Sequence, residues 1–565
     1  MVLPTTIAAL AVALLGSCVS GQAPPPTAID PTFFPNLKAS EKLTWVDCYG
    51  TFKCAKFRVN ADVSGKNRRD KVELAIAKLP AVSGNKTGTL VYSTGGYSGS
   101  NTNGIIQDVA NFAPLYPNYD VIGIDRRGTG YSTPPLKCFR NNEERNAWVA
   151  SEPPLLGSTK NALSQHRERA KKFAKQCADF TGDAAKWLGT YPSAVDIHTV
   201  MKAIGEKKIH FHGISSGTHT AQSFAALYPE AVGKFVLDAV VRSDLEYTIS
   251  DNQPDTIVDL ELAIEAFFIT CNAADAVCPF KGSSTTVQQL KTRFAAIDKK
   301  LKTTFVTSPG FKPFDWNAFH RFLSVVILDS GVFFPALADL LVDLEAGVAG
   351  NGTQFASAAV FSPPPPLPPL DSSPPFEQIQ AGICNDALDI SRSPQDFDKY
   401  LAAMLKTSPN VGGLFAITNL YCTEWKIKPV NRFPLSKFNK SCLSKITGKI
   451  LYISNTADSL CPLDSAYHMR TKYFGTKSTI IIDHTAGHTS VFQGALSGLT
   501  GFPSLGVFDI IFRFFNLNQL PPNGSIYLPD LPAFIDRGAG YAGLLPNGFG
   551  GVNGVPAYPI PGKTA

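Results

Sequence analysis

The pentapeptide Gly213-Ile214-Ser215-Ser216-Gly217 constrains this chain more than any other feature in it. An apolar run at 208–214 leads into it. A helix-compatible stretch at 218–228 leaves it and stops at Pro229. A strand, a tight turn and a helix around G-x-S-x-G present the central serine at the carboxyl end of the strand. Glycine at the first and last positions lets the backbone turn sharply without a side-chain clash. A strand feeding directly into a helix commits the chain to a layered sheet-and-helix architecture. The same pattern also occurs as an ordinary glycine-rich turn, so the chemistry depends on whether the chain supplies a base, an acid and an oxyanion hole.

The first third of the chain repeats that alternation. Apolar runs bounded by turn residues at 89–93, 119–125, 208–214 and 234–238 predict buried strands. Between them Ile197, Val200, Met201 and Ile204 recur at i, i+3, i+4 and i+7, one apolar helix face. Ser193 and Asp196 are spaced as a capping box at its start. Strands alternating with helices predict a mostly parallel sheet covered on both faces. After residue 241 the alternation stops. Residues 242–447 read as a helical insertion, with helices at 259–270 and 319–346 and an extended proline-rich run at 363–369. Strands resume at 449–454 and 478–483. The predicted organisation is a sheet-and-helix core at 40–241 and 448–520, interrupted by the insertion and followed by an irregular Gly- and Pro-rich tail at 521–565.

Ligands of such a sheet gather at the carboxyl ends of its strands. Asp458 follows the strand at 449–454 and His488 follows the strand at 478–483. The order Ser215, Asp458, His488 is that of a hydrolase built on this elbow. A serine hydroxyl keeps its proton at neutral pH. His488 would remove it and return it to the leaving group, and Asp458 would hold the imidazole tautomer. Asp464 and Asp483 compete with Asp458, and His484 competes with His488. His484 and His488 also have the i, i+4 spacing of two metal ligands, but no third ligand is evident and no metal is expected. His210 and His212 read as packed residues of the strand before the elbow. The oxyanion hole needs two N–H groups. Ser216 should supply one, and the loop Thr94-Gly95-Gly96-Tyr97-Ser98-Gly99-Ser100 the other, at Gly96 or Tyr97.

Composition narrows the partners. Fifty-two basic against 46 acidic residues give a net charge of +6 with no dense basic block, which argues against nucleic acid. Residues 1–20 read as a secretory signal peptide, whose apolar run at 7–15 is too short to span a bilayer. No later stretch is long and charge-free enough for a membrane helix, so no membrane partner is expected. The 11 cysteines fall to ten once Cys18 is cleaved off, and their scatter lacks the knuckles of zinc sites. Disulfides are the expectation, with Cys48–Cys54 and Cys271–Cys278 closing short loops and the other pairings open. Glycosylation sequons begin at Asn85, Asn351, Asn439 and Asn523. These features predict a secreted glycoprotein. There is no P-loop, and Gly128-Thr129-Gly130 lacks the third glycine of a dinucleotide fingerprint, so no cofactor is expected. The oligomeric state stays open.

The assembly resembles the α/β-hydrolase superfamily and, more narrowly, the secreted tripeptidyl aminopeptidase and proline iminopeptidase group of serine peptidases. The stretch from Tyr119 to Ser132, containing Asp125-Arg126-Arg127-Gly128-Thr129-Gly130-Tyr131-Ser132, is similar to that group's D-x-R-G-x-G-x-S segment. The elbow, Cys271 with Cys278, Cys384-Asn385-Asp386, Cys422-Thr423-Glu424-Trp425, Asp458 to Leu463 and Gly487-His488 extend the likeness over about residues 45–521. Two departures adjoin the scissile bond. Tyr97 and Ser98 stand where the group has G-G-P-G, and Ser216 replaces an aromatic residue; both bear on substrate preference. The resemblance implies an α/β-hydrolase fold with a large, mainly helical cap insertion, and hydrolysis from a free N-terminus. It also implies a buried cap carboxylate that pairs with the substrate ammonium. Glu261, Glu265, Asp386 and Glu424 are the candidates.

Three functions follow. A secreted serine exopeptidase acting on peptides fits all the landmarks. A secreted carboxylic ester hydrolase fits the same triad, because acyl transfer to Ser215 works with either leaving group. A binding protein that keeps the fold without the chemistry is the third, since fold alone proves no activity.

Overall fold

The computed structural model describes residues 30–97, 99–109, 113–250, 252–361, 375–387, 390, 394–490 and 505–527. The signal segment, the proline-rich run at 363–369 and most of the tail lie outside the described residues.

Ten strands make one sheet: β1 (Val46–Cys48), β2 (Phe52–Asn60), β3 (Lys71–Leu79), β4 (Gly88–Ser93), β5 (Tyr119–Ile124), β6 (Ile209–Ile214), β7 (Val232–Asp238), β8 (Lys449–Ala457), β9 (Ser478–Ala486) and β10 (Ser525–Tyr527). Their spatial order is β1-β2-β3-β5-β4-β6-β7-β8-β9-β10. The first four in that order pair antiparallel. From β5 to β10 every pairing is parallel.

The central strands read as continuous apolar runs because both faces are covered. Side chains alternate across the sheet, so one strand feeds two cores. Ile450 and Tyr452 of β8 pack on one face with Ile480 and Ile482 of β9. Leu451, Ile453 and Ile481 pack on the other. On the first face lie helices α1 (Thr190–Ala203) and α2 (Ser216–Leu227), which contribute Ile197, Val200 and Phe224. The chain has the α/β-hydrolase architecture expected from its sequence, with helices inserted between β7 and β8.

Those inserted helices include α3 (Ser243–Glu246), α4 (Asp259–Ala273), α5 (Trp316–Val326), α6 (Ser330–Ala346), α7 (Pro375–Asp386) and α8 (Gly412–Glu424). Helices α4 to α8 share an apolar core in which Phe267, Phe319, Leu323, Leu337 and Leu341 are buried, continuous with Phe173 of the helix Ala162–Thr181. Among the described residues four disulfides form: Cys48–Cys54, Cys138–Cys177, Cys271–Cys278 and Cys384–Cys422. The last ties α7 to α8.

Four details differ from expectation. Ser193 does not cap α1. The helix begins at Thr190, the Ser193 hydroxyl donates to the Gly189 carbonyl, and the Asp196 carboxylate is claimed by the buried Arg127 guanidinium at 2.7 and 2.8 Å. The predicted helix at 319–346 is two helices, α5 and α6, broken at 327–329. The tail is not wholly irregular: Ser525–Tyr527 extends the sheet as β10. Strands β1 to β3 had not been assigned from the sequence at all.

Candidate active site

Ser215 sits between β6 and α2 with φ 53° and ψ −119°, a conformation that costs a non-glycine residue free energy. The surrounding structure enforces it. The Ser215 N–H donates to the Asp238 carbonyl at the end of β7, 2.9 Å away. The two elbow glycines are sites of close approach rather than of unusual φ. A Cβ on Gly217 would stand 2.4 Å from the Ser93 carbonyl oxygen, and one on Gly213 would stand 2.8 Å from the Gly217 carbonyl oxygen. The strain of the turn thus falls on the serine, which is raised from the sheet and only partly covered.

Asp458 and His488 come together as expected. Asp458 follows β8 and is fully buried. Its Oδ1 accepts the Leu460 and Cys461 N–H groups at 2.9 Å each and pairs with His488 Nδ1 at 2.8 Å. Its Oδ2 accepts the Thr489 N–H at 3.2 Å. Burial works against a charged His488. The Asp458 charge and hydrogen bond, with Asp238 beyond, outweigh it and hold the imidazole pKa above its ordinary 6.5.

The loop carrying His488 is latched on several sides. Asp238 accepts the Ser490 N–H on both carboxylate oxygens, at 3.0 and 2.9 Å. Asn455 Nδ2 donates to the Gly487 and Thr489 carbonyls at 2.8 and 2.9 Å. The His488 N–H donates to the Leu328 carbonyl at 2.7 Å, and Asp329 forms an antiparallel bridge with Gly487. The break between α5 and α6 therefore docks the insertion onto the histidine loop. Asp238 joins the two halves of the site, its carbonyl on the Ser215 turn and its carboxylate on the His488 loop. Sequence reading missed Asp238, Asn455 and Leu328. Only Asp238 left a signal, as a charged residue closing an apolar strand.

The loop after β4 approaches the serine. A Cβ on Gly95 would stand 3.1 Å from Ser215 Cβ and 3.7 Å from its Oγ. Gly96 and Tyr97 follow directly, and Ser216 opens α2, where a first-turn N–H has no intrahelical acceptor. All three expected oxyanion donors are thus on elements flanking Ser215.

The other candidates separate. Glu261 is committed within the insertion, accepting from the Ser408 hydroxyl (2.7 Å) and from the Asn410 main-chain N–H and side-chain amide (3.2 and 2.8 Å). Glu265 pairs with Lys291 at 2.6 Å. Glu424 closes α8 and faces Lys171. Asp386 accepts the Thr190 N–H at 3.0 Å and lies 3.6 Å from His219 Nε2, and its charge reaches Tyr97. Glu246 of α3, an acid the sequence did not single out, is also buried near Tyr97. His484 turns to the Thr456 hydroxyl at 3.0 Å instead of joining His488. His210 Nδ1 accepts the Lys234 N–H at 3.1 Å, and His212 bonds to the Tyr116 hydroxyl, so both serve packing. Ligating atoms of Asp458, Cys461 and His488 lie within 4.8 Å of one another, but two of those residues already bond to each other.

Residues 91–276 match the model of the alpha/beta hydrolase fold family. The chain is 24% identical over 475 residues to a tripeptidyl aminopeptidase of Streptomyces lividans, covering 80% of this chain and 81% of that one. It is 27% identical over 217 residues to the serine protease Hip1 of Mycobacterium tuberculosis, 36% of this chain and 40% of that one. A carboxylesterase B of Mycobacterium tuberculosis is 28% identical over 160 residues, 27% of this chain and 29% of that one.

Proposed function

We propose that this serine hydrolase of the α/β-hydrolase fold is an exopeptidase, releasing short peptides or single residues from free N-termini through an acyl-enzyme on Ser215. The observation that carries the peptide reading is the extent of the likeness to a tripeptidyl aminopeptidase, 80% of the chain, more than the sheet and its helices alone can account for. The His488–Asp458 pair, on a loop that Asp238 joins to the strained Ser215 turn, supports the chemistry.

In this reading His488 takes the Ser215 hydroxyl proton as Oγ attacks the scissile carbonyl carbon. The carbonyl oxygen gains the negative charge, which N–H groups of Ser216 and of Gly96 or Tyr97 stabilise. Collapse breaks the C–N bond, and His488 returns the proton to the departing amine. Water then repeats the sequence on the ester. Asp458 holds the imidazole and stabilises the imidazolium. Asp386 and Glu246, the acids nearest Tyr97, are assigned the substrate ammonium. Four disulfides support an extracellular place of action.

The test compares tripeptide anilides with free and acetylated N-termini. Turnover of the free form only, absent in Ser215→Ala, is the expected result. Equal turnover of both would refute the exopeptidase reading. An esterase reading draws on Tyr97 and Ser216, which depart from the peptidase pattern beside the scissile bond. Acyl esters run in the same assay at higher kcat/KM than any aminoacyl anilide would establish it.

A further inference from the structure

The loop at 94–97 is gripped from two sides. On the sheet side, the buried Arg126 guanidinium donates to the Gly96 carbonyl at 2.6 Å, the Ser93 hydroxyl at 3.2 Å and the Thr94 carbonyl at 3.4 Å. A planar trans peptide points its C=O and the next N–H in opposite directions. With the Gly96 oxygen fixed on Arg126, the Tyr97 N–H is turned away from it. On the other side, the Tyr97 ring leaves the loop and enters the insertion. It is 8% exposed and packs with Ile383 and Cys384 of α7 and with Ala387 just beyond its end, where the Cys384–Cys422 disulfide ties α7 to α8. It also lies directly against Gly382 of the same helix. A Cβ there would stand 2.3 Å from Tyr97 Cδ1 and 2.8 Å from Tyr97 Cβ. The second distance matters more than the first. A ring can swing aside, but Cβ is fixed to the main chain, so α7 bears on the loop backbone itself.

We propose that Tyr97 is a positioning residue through which helix α7 of the insertion sets the oxyanion loop, so that the hole is formed only when the insertion is seated. The tyrosine hydroxyl is not the working part. It is buried and has no hydrogen-bond partner among the described residues, which leaves the ring as the element that matters. The insertion then does two jobs, restricting access and completing the site. Closure on a substrate raises kcat as well as affinity.

The inference needs Ser215 as nucleophile but not the exopeptidase reading, so it is tested on a small substrate, p-nitrophenyl acetate. Ser215→Ala is the control. If that variant retains ester turnover, the hydrolase reading fails by itself. Loss of one oxyanion donor costs about 10²–10³ in kcat, so a displaced loop is expected to lose ~10- to 100-fold. Gly382→Ala and Tyr97→Ala should each show that loss in kcat, with KM within about threefold and the acid limb of the pH profile unmoved, since His488 is untouched. The double variant should lose no less than Tyr97→Ala, because the added methyl still meets the Cβ that alanine keeps, but less than the product of the two single losses, because both act on one contact. Tyr97→Phe should restore kcat. Should Gly382→Ala fail to accumulate folded, the contrast between Tyr97→Ala and Tyr97→Phe carries the test. Wild-type kcat in Gly382→Ala or Tyr97→Ala, losses that multiply in the double variant, or a Tyr97→Phe as impaired as Tyr97→Ala would each overturn the proposal.

Discussion

Replacing Asp458 by Asn separates two jobs that one carboxylate performs. An amide in that place has one acceptor oxygen instead of two, and the surroundings decide which way it faces. Oδ1 accepts three donors, from Leu460, Cys461 and His488 at 2.8–2.9 Å, whereas Oδ2 accepts one, from Thr489 at 3.2 Å. The amide oxygen therefore takes the Oδ1 position, and the NH₂ opposes the weaker Thr489 donor. His488 keeps its Nδ1–H bond and its tautomer, and only the negative charge is lost. With charge centres about 4 Å apart and an effective dielectric constant near 20, that charge stabilises the imidazolium of the transition state by ~4 kcal/mol, or about 10³ in kcat. An amide that turned the other way would impose the wrong tautomer, for which a loss nearer 10⁴ is the precedent in a serine protease of another fold.

The assay is steady-state ester or peptide hydrolysis across pH 4–9. In the parent protein His488 must be neutral to accept the serine proton. Its pKa is held above 6.5, so kcat/KM should climb with an apparent pKa above that value. Asp458→Asn removes the main raising influence. The acid limb should move to lower pH while the plateau drops ~10³-fold and KM changes less than about threefold. A loss under tenfold, or an acid limb that stays in place, would refute the assignment of Asp458 to His488.

Three further outcomes follow from buried groups elsewhere. Asp259 of α4 is 2% exposed, and burial together with the Asp458 charge pushes its carboxyl up to about 8. The folded protein then holds a proton that the unfolded chain releases near its usual 3.8, so stability declines as pH rises from about 4 through 8. In Asp259→Asn the Tm should fall less steeply over that window than in the parent; parallel curves would count against it. Asp244 has the opposite sign. Burial alone would raise its carboxyl, but Arg242 and His468, the latter at 2.9 Å, hold it well below 3.8. Its contribution is present at neutral pH and is lost as pH falls below 3.8, so Asp244→Ala should cost about 1.5–3 kcal/mol in urea unfolding at pH 7 and far less in strong acid. Gly217→Ala would place a methyl 2.4 Å from the Ser93 carbonyl oxygen, between two main-chain segments that cannot both yield. A destabilisation of at least about 1–3 kcal/mol, read as a lower urea midpoint, and slower fluorophosphonate labelling of Ser215 are expected.

What could be read in the sequence divides by the kind of group involved. The central strands were legible because burial on both faces forces unbroken apolar runs, and 449–454 and 478–483 fall inside β8 and β9. The hairpin strands β2 and β3 were readable in principle. Lys71–Leu79 alternates toward both ends, with an exposed or half-buried residue between buried ones, but its apolar middle hides the period. The Ser193–Asp196 spacing misled because a capping box is a local preference of about 1 kcal/mol. A buried Arg127 needing two carboxylate oxygens overrides it. The disulfides Cys138–Cys177 and Cys384–Cys422 bridge separations of 39 and 38 residues, where nothing local selects a partner.

Ser215, Asp458 and His488 were legible because their chemistry restricts the residue type and the sheet restricts where each can stand. The parts that hold them were not. His488 is steadied by the carbonyl of Leu328, Ser215 by the carbonyl of Asp238, and Arg126 grips the carbonyls of Gly96 and Thr94. Any residue supplies a carbonyl oxygen, so such a partner leaves no mark on the identity of the residue that provides it. Tyr97 is the exception. It acts through a ring, and its departure from a peptidase pattern is visible in the sequence, whereas its contact with Gly382 is not. A tyrosine where the resembled peptidase pattern has a proline has to be accommodated by something across from it, and here that is a glycine of the inserted helix. The unusual residue in a catalytic loop therefore points outward, to the element that closes over the site, as readily as inward to the substrate.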